Sequence, residues 1–564
     1  MDMTLQSDTT TPSGNRRRLQ GWALASVLVS LMLANFLAGL DQVIVDTALP
    51  HMIGDLQGFD RYTWVLTAYL LASTAMIPVI GKLSDQFGRK WLLMTAIGAF
   101  LLSSALAGAS QTMNQLIIFR GLQGLSAGTI QVLVSTLVAD IFLPVERARW
   151  QGMTTGIYAL ASVIGPAAGG WITDHLGWRW IFYINLPLAP FALVALFFWL
   201  PASISVRSTE ARGWAAIRRI DFLGALSMAS ATICLLLGLT WGGQTYPWNS
   251  PQVITILCAA GALFLAFVVA EVFAVEPILP LRMARNQVFA AGALLNLVMN
   301  MALLAMLVYI PLFIQGVLGQ SATSSGVVVT PLTVTIMCSA ILSGLLVSKS
   351  GRYQWVVLLG TVIFVAGAVL MVLVNPSISP AIITRNMLVL GLGVGMVLPV
   401  LTIAVQNAIP RTQLGAGTGA MTYLRSLGST LGVAVIGTVV NNGAAAELAK
   451  RLPAAARLLP PQLLAAATDQ QALLNPAYRQ QLQGQGVPSS LLDHIFDAAR
   501  QSLAVGIEHA FVVSLGICIL GVLIALFLKD VRLKQRKDFS ADEALAAGVD
   551  GQAEGEMGIS GQIS

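Results

Sequence analysis

Long apolar segments separated by short polar ones recur along the whole chain. Each apolar segment has about 20 residues, which at about 1.5 Å per residue crosses a hydrocarbon core of about 30 Å. The pattern therefore predicts an all-α membrane protein with fourteen transmembrane helices. The predicted spans are 22–49, 62–80, 91–109, 116–142, 150–173, 180–200, 222–241, 253–273, 289–313, 325–348, 354–374, 381–405, 415–440 and 507–528.

Composition and charge support a membrane location. The 564 residues are 56% hydrophobic and 10% charged, whereas soluble domains are about one quarter charged. Of the 32 Lys and Arg residues, 22 lie on the side of the amino terminus, seven lie on the other side and three lie inside spans. The positive-inside rule then predicts a multi-pass protein of the plasma membrane, such as a bacterial inner membrane, with both termini cytoplasmic. The net charge of +6 reflects this topology, so no nucleic-acid partner is expected.

The chain repeats itself at an offset of 263 residues. The stretch beginning at Gly81 returns at Gly344, and Gly152 returns as Gly415. Repeated halves are typical of transporters that rock around a central site. The predicted division is a tail 1–20, a six-helix bundle 21–200, a linker 201–220, two inserted helices 221–275, a linker 276–288, a six-helix bundle 289–530 and a tail 531–564. Both tails are predicted to be cytoplasmic and disordered. The second bundle is predicted to include an outer loop, 441–506, with short amphipathic helices, which serves as a solvated connector or as a lid or lipid-facing element.

Two opposite charges lie inside the first bundle at similar depth. Asp41, within "FLAGLDQVIVDTALP", is about 13 Å below the outer end of its span, and Arg120 is about 9 Å below the outer end of the fourth span. An unpaired charge at such depth costs roughly 3 kcal/mol, so a partner or a water-filled cavity is expected. A carboxylate that exchanges Arg120 for a proton would couple transport to protons. The alternative is a fixed structural ion pair.

Other polar side chains at membrane depth are substrate-contact candidates. They are Asn35, Gln131, Asn296, Asn300, Tyr309 and Arg425. A single amide serves equally well as a helix–helix hydrogen bond. The second bundle has no deeply placed carboxylate, so organic dications are disfavoured, whereas Arg425 suits neutral or anionic lipophiles. Phosphate-loop motifs and clustered metal ligands are lacking, which predicts no cofactor and an ion gradient as the energy source.

Two glycine-containing segments suggest moving parts. In "GKLSDQFGRK", Gly81 and Gly88 permit a tight turn, while Asp85 and Arg89 can bridge helix ends in one conformation and separate in the other. Asp140 is the predicted partner of Arg89, and the alternative is a static turn. In "GPAAGG" the lack of side chains allows close helix approach, and the proline can bend the axis. That segment contains Gly165, Pro166, Gly169 and Gly170.

These residues together resemble the major facilitator superfamily, and within it the fourteen-helix drug:proton antiporter group. The resemblance rests on "LDQVIVDTALP", "GKLSDQFGRK", "RGLQGLSAG" and "ASVIGPAAGG", and it covers almost all of residues 20 to 530. Asp46, Ala161 and Ser348 depart from the group's usual residues. The resemblance implies two six-helix bundles plus two inserted helices, multidrug efflux with antibiotic resistance, Asp41 and Arg120 as the proton-coupling residues, a gating latch and an antiporter segment. A monomer in the lipid bilayer is expected.

Two other functions remain open from the sequence. One is export of a specific lipid, a siderophore or a self-made antibiotic instead of many lipophilic drugs. The other is a membrane-embedded enzyme, although the chain offers no clustered nucleophile and base. A lipophilic small molecule and protons are the expected partners in the main interpretation.

Overall fold

The computed structural model describes residues 21–56, 61, 63–202, 221–243, 245–279, 281–320, 322–376, 378–452 and 489–531. Fourteen helices within these residues are long and apolar enough to cross a membrane, which confirms the predicted number. The first seven are α1 Gly21–Leu56, α2 Thr63–Phe87, α3 Arg89–Gly108, α4 Met113–Ile141, α5 Pro144–Leu176, α6 Asn185–Trp199 and α7 Phe222–Trp241. The others are α8 Pro251–Phe273, α9 Gln287–Leu312, α10 Ala322–Ser350, α11 Gln354–Val372, α12 Pro380–Ala408, α13 Leu414–Arg451 and α14 Ser489–Leu526.

Short polar signals set the helix boundaries between the apolar runs. The Thr112 hydroxyl caps α4 by accepting a hydrogen bond from the Gln115 amide, and Asn286 caps α9 in the same way. Gly88 separates α2 from α3 with φ of 86°, a left-handed conformation that glycine adopts without strain. One turn, Trp180–Tyr183, precedes α6, and a π-helical turn, Phe313–Val317, extends α9.

The helices form two six-helix halves with the same internal arrangement. In the first half α1 packs on α5 and α6, α4 packs on α2 and α3, and α3 also contacts α6. In the second half α9 packs on α13 and α14, α12 packs on α10 and α11, and α11 also contacts α14. Adding eight to each helix number of the first half gives the contacts of the second. The sequence repeat therefore corresponds to a structural repeat, and the predicted arrangement of two six-helix bundles with two inserted helices is confirmed.

The two halves meet at two helix crossings made possible by glycine. Below, the terminal face means the face at which α1 begins and α14 ends. At the α2–α13 crossing, a methyl group on Gly415 would lie 2.2 Å from the Gly81 carbonyl oxygen. At the α5–α10 crossing, methyl groups on Gly152 and Gly344 would each lie 2.3 Å from a backbone oxygen of the opposite helix. The 263-residue offset relates these crossings to each other. Both lie toward the terminal face, where the halves are closed against each other.

The inserted helices α7 and α8 pack on each other, and α7 contacts both halves. On the second half, the hydroxyls of Thr232 and Tyr423 are hydrogen-bonded at 2.9 Å. Trp248, in the loop between α7 and α8, donates its indole N–H to Thr438 at 2.9 Å. These two bonds attach the inserted pair to α13 at two heights.

The inserted pair reaches the first half near both faces. Trp241 at the end of α7 packs edge to face on Trp64 of α2, with ring centroids 6.3 Å apart. In the segment after α8, Glu276 accepts a hydrogen bond from the Gln86 amide at 2.6 Å and lies 3.4 Å from Lys82 Nζ. The insertion is thus bonded to the end of α2 as well as to α13.

The structure differs from the prediction at the outer loop 441–506. Residues 441–451 continue α13, and residues 489–506 belong to α14, so both helices extend beyond the predicted spans. Glu447 pairs with Lys450 and Arg451 at helical spacing, which suits the charged end of α13. The rest of that loop, the tail 1–20, most of the linker 201–220 and the tail beyond residue 531 lie outside the described residues.

Candidate functional site

Asp41 and Arg120 form a fully buried ion pair inside the first half. Arg120 Nη1 donates to Asp41 Oδ2 at 2.6 Å. Gln123, one turn after Arg120 on α4, donates to Asp41 Oδ1 at 2.7 Å and accepts from Arg120 Nη1 at 2.8 Å. The amide of Asn185 on α6 also reaches Asp41 Oδ1, at 3.4 Å. The predicted pair is therefore present, and two amides that the sequence analysis did not single out hold it in place.

Aromatic and backbone groups surround the guanidinium. Its central carbon lies 4.2 Å from the ring centroid of Tyr69 and 5.9 Å from that of Phe182, and Nε donates to the Val65 carbonyl at 3.4 Å. Among the described residues, Arg120 Nη2 has no hydrogen-bond partner. A cation in such an apolar setting depends on its counter-ion, because removing one member of a buried pair costs about 3–5 kcal/mol. Protonation of Asp41 would remove that counter-ion and loosen the pair.

The ion pair is separate from the space between the halves. On α1, Asn35, Gln42 and Asp46 share one helix face, and Asp41 points about 120° away from it. Gln42 accepts a hydrogen bond from the Tyr158 hydroxyl of α5, and Asp46 is exposed. The sequence analysis noted Asp46 only as a departure from a family pattern. The structure places it on the exposed side of α1, beyond the cavity described next.

A cavity of about 80 Å³ lies between the two halves at the middle of the helices. It is lined by Asn35, Gln131, Ser135, Thr154, Thr155, Tyr158, Asn296, Leu398, Thr402, Met421, Thr422 and Arg425. The lining is mainly polar and uncharged, with the guanidinium of Arg425 as its charged group. Sites for drug-sized ligands typically measure about 300–1,000 Å³, so a substrate of that size requires the halves to move apart.

Four of the six predicted substrate contacts line this cavity, and two do not. Asn35, Gln131, Asn296 and Arg425 belong to the lining. Asn300 lies one turn from Asn296 but donates its amide to the backbone and side-chain oxygens of Asn296, and Tyr309 is buried in the core of the second half.

The predicted latch residues come together at the terminal face. Arg89 donates to Asp140 and, at 2.9 Å, to Asp85, so α2, α3 and α4 are joined. Asp85 also accepts hydrogen bonds from the backbone amides of Gly415 at 2.8 Å and Ala416 at 2.9 Å. Those two amides begin α13, where a helix leaves its first N–H groups free and favours negative charge. Asp85 thereby connects the first half to the second.

The glycine segment of α5 packs inside the first half. A methyl group on Gly165 would lie 3.3 Å from Val43, and one on Gly169 would lie 2.4 Å from the Thr47 hydroxyl, both on α1. Gly170 has nothing within 4 Å. Pro166 lies within the helix. The segment therefore provides the close α1–α5 approach that its composition predicted, and it fixes the helix that carries Asp41.

The site contains contacts that sequence reasoning missed. Tyr158 lines the cavity and bonds to α1, and the Gly415 and Ala416 amides hold Asp85. Gln123 had a usable signal, since it lies three residues after Arg120 in the quoted arginine motif. Backbone amides give no signal in a sequence. In the described part of the chain, no three His, Cys, Asp or Glu side chains are grouped to hold a metal ion.

Comparison with known proteins identifies the family. The model of the Major Facilitator Superfamily matches residues 31–433. The chain belongs to this superfamily. It is 33% identical over 519 residues to the multidrug transporter protein MdtP of Bacillus subtilis strain 168, covering 91% of this chain and 94% of that protein. It is 32% identical over 508 residues to multidrug resistance protein 3 of the same strain, covering 90% and 96%.

Further members of the superfamily show its breadth. The transporter of the acurin A biosynthesis cluster from Aspergillus aculeatus is 29% identical over 512 residues, with 90% of each chain covered. The proton:xylose symporter XylE has the same fold, with a TM-score of 0.57 at 14% identity over 92% of this chain and 98% of its own. This superfamily member is therefore a multi-pass membrane transporter of small molecules and not an enzyme.

Proposed function

We propose that this transporter exports lipophilic drugs or related small molecules in exchange for protons. The observation that carries the proposal is the buried Asp41–Arg120 pair, which places a titratable carboxylate and its counter-ion at membrane depth. Ionisable residues at this depth are costly and mark ion or proton pathways. The printed names of the two Bacillus relatives, both multidrug proteins, support the substrate class.

The proposed cycle uses protonation of Asp41 to change the packing of the first half. With Asp41 ionised, Arg120 and Gln123 are held against α1. A proton on Asp41 neutralises it, and Arg120 must then find other partners or water. Because α1 also packs on the glycine segment of α5, a rearrangement at Asp41 reaches the α5–α10 crossing between the halves.

The latch at the terminal face is proposed to control access. The excess of Lys and Arg supports a cytoplasmic position for this face, and in the proposed arrangement the transporter lies in the plasma membrane with both chain ends inside the cell. The described structure then has its cytoplasmic side closed by Asp85, Arg89, Asp140 and the two glycine crossings. The central cavity would exchange with the outside in this state. Parting of the Asp85 bonds to α13 would open the cavity to the cytoplasm.

The test is substrate-induced proton movement in proteoliposomes with an imposed pH gradient. The full chain is compared with Asp41→Asn across cationic, neutral and anionic lipophiles. Asp41→Asn should abolish the proton signal, because an amide keeps the shape but does not titrate. Asp174→Asn, which changes an exposed carboxylate on α5, is the matched control and should couple normally. Coupling in Asp41→Asn equal to that of the parent would show that the pair is structural.

A second candidate is export of one specific self-made product. The Aspergillus relative is described as the transporter of a biosynthesis cluster, which favours a dedicated substrate in some members of the superfamily. The same proteoliposome panel separates the two functions. A multidrug exporter should respond to several unrelated lipophiles, whereas a dedicated exporter should respond to none or to one narrow chemical series.

A further inference from the structure

Arg425 differs from Arg89 and Arg120 in its partners. Arg89 and Arg120 each bond to a carboxylate. Arg425 lies about three turns into α13 and lines the central cavity. Its guanidinium has no hydrogen bond or ion pair with any described residue. The nitrogen atoms of its side chain are not fully enclosed by protein, so they reach the cavity space.

No acidic side chain of the described residues shares the cavity lining with Arg425. Asp41 is engaged by Arg120, Gln123 and Asn185 and faces away from the cavity. The amides and hydroxyls of the lining can hydrogen-bond to a guanidinium, but they carry no charge to balance it. The cavity is therefore a positively charged, hydrogen-bonding space at membrane depth, where an uncompensated charge is costly.

We propose that the cavity binds amphipathic organic monoanions, with Arg425 holding their carboxylate. The proposal rests on the export function proposed above and specifies its substrate class. A guanidinium presents a planar fork of donors that matches a carboxylate bidentately. The amide of Gln131 can donate to a carboxylate lone pair that the fork leaves free, while Leu398 and Met421 offer apolar contact to the body of the molecule.

An anionic substrate changes the electrical balance of the exchange. When one monoanion leaves the cell and one proton enters, two charges cross the membrane in the same electrical sense. A neutral analogue exchanged for one proton moves a single charge. Export of the anion should therefore respond to membrane potential twice as strongly as export of its neutral analogue.

The decisive experiment measures equilibrium binding to the purified full chain without any gradient. The probes are cholate, a steroid carboxylate, and cholamide, its uncharged amide, which share one apolar skeleton. The parent should bind cholate at least about tenfold more tightly, since hydrogen bonds to a charged partner are strong. Arg425→Gln should remove this preference and retain cholamide binding. Arg425→Lys keeps the charge but loses the planar fork of donors, so its preference for cholate should lie between that of the parent and that of Arg425→Gln.

Arg385→Gln serves as the matched control. Arg385 also lies inside a span, on α12, but it is exposed, bonds to the Asn386 side chain and does not line the cavity. This variant should keep the parental preference for cholate. Monodisperse elution on size exclusion checks folding of every variant, and the comparison of the two probes on the parent needs no variant.

Several outcomes would overturn the proposal. Equal binding of cholate and cholamide to the parent would do so, as would cholate binding that survives Arg425→Gln unchanged. Tighter binding of the corresponding primary amine would show that the cavity prefers cations. Because binding is measured without a gradient, it is independent of proton coupling. If Asp41→Asn couples to protons as well as the parent does, the antiport mechanism is overturned, while the preference for anions is unaffected.

Discussion

Replacing Gly415 by alanine should weaken closure of the terminal face. The added methyl group would lie 2.2 Å from the Gly81 carbonyl oxygen and 2.6 Å from Asp85 Oδ1, whereas ordinary contact begins at 3.4 Å. The helices α2 and α13 must therefore separate by about 1 Å. Overpacking of this kind costs about 1–3 kcal/mol. Separation also stretches the two hydrogen bonds that backbone amides of α13 donate to Asp85, and hydrogen bonds to charged groups contribute about 1.5–3 kcal/mol each.

The sum of these effects is roughly 3 kcal/mol or more against the closed state. Since 1.4 kcal/mol corresponds to a tenfold change in an equilibrium constant, the ratio of closed to open molecules should fall about a hundredfold. Alanine is a better helix former than glycine by about 1 kcal/mol, so α13 itself should remain folded. The expected consequence is a change in conformational equilibrium without loss of the protein.

The assay is labelling of a single cysteine at the exposed position Asp46, in a chain whose four native cysteines are replaced by alanine. A membrane-impermeant maleimide is added on the side opposite the terminal face. Gly415→Ala should slow labelling at least about tenfold. Gly98→Ala is the control, because a methyl group there meets nothing within 4 Å. An unchanged labelling rate in Gly415→Ala would refute the role of the crossing in closure.

Three further results are expected. Asp85→Asn should slow the same labelling about tenfold, because the amide can no longer act as a charged acceptor for both α13 amides; labelling at the parental rate would contradict this. Gly169→Ala should destabilise the protein by about 1–3 kcal/mol through contact with Thr47, while Gly170→Ala should be neutral, as measured by thermal unfolding in detergent. Gln123→Leu should lower the free energy of unfolding by about 1–3 kcal/mol, because Asp41 and Arg120 each lose a hydrogen-bond partner. An unchanged unfolding temperature would show that Gln123 does not stabilise the ion pair.

The charged pairs could be predicted from sequence because they are few and their depth is readable. Asp41 and Arg120 are rare charges in apolar spans, and counting residues from the span ends placed them level. Arg89 and Asp140 likewise lie at helix ends on one face of the membrane. The structure brings together both pairs. Their roles in coupling and gating stay predictions that the experiments above address.

The amides were harder to place, because an amide can bond to many partners. Asn296 and Asn300 have helical spacing, and the sequence suggested a shared substrate role. In the structure the amide of Asn300 bonds back to Asn296, which leaves only Asn296 at the cavity. In the outer loop 441–506 the sequence predicted short amphipathic helices. In the structure the helical residues continue α13 and α14, and Glu447 pairs with Lys450 and Arg451 along α13.

The inserted helices add a mechanical tie that the two halves alone would lack. Their bonds to Tyr423 and Thr438 make them move with α13, whereas Glu276 is held by Lys82 and Gln86 at the end of α2. If the halves part at the terminal face, the Glu276 bonds must stretch or break. The Lys82–Glu276 pair is only 13% and 15% exposed and its atoms lie 3.4 Å apart, well within the screening length of about 8 Å, so salt weakens it little. The inserted helices should therefore slow opening of this transporter at low and at physiological ionic strength alike.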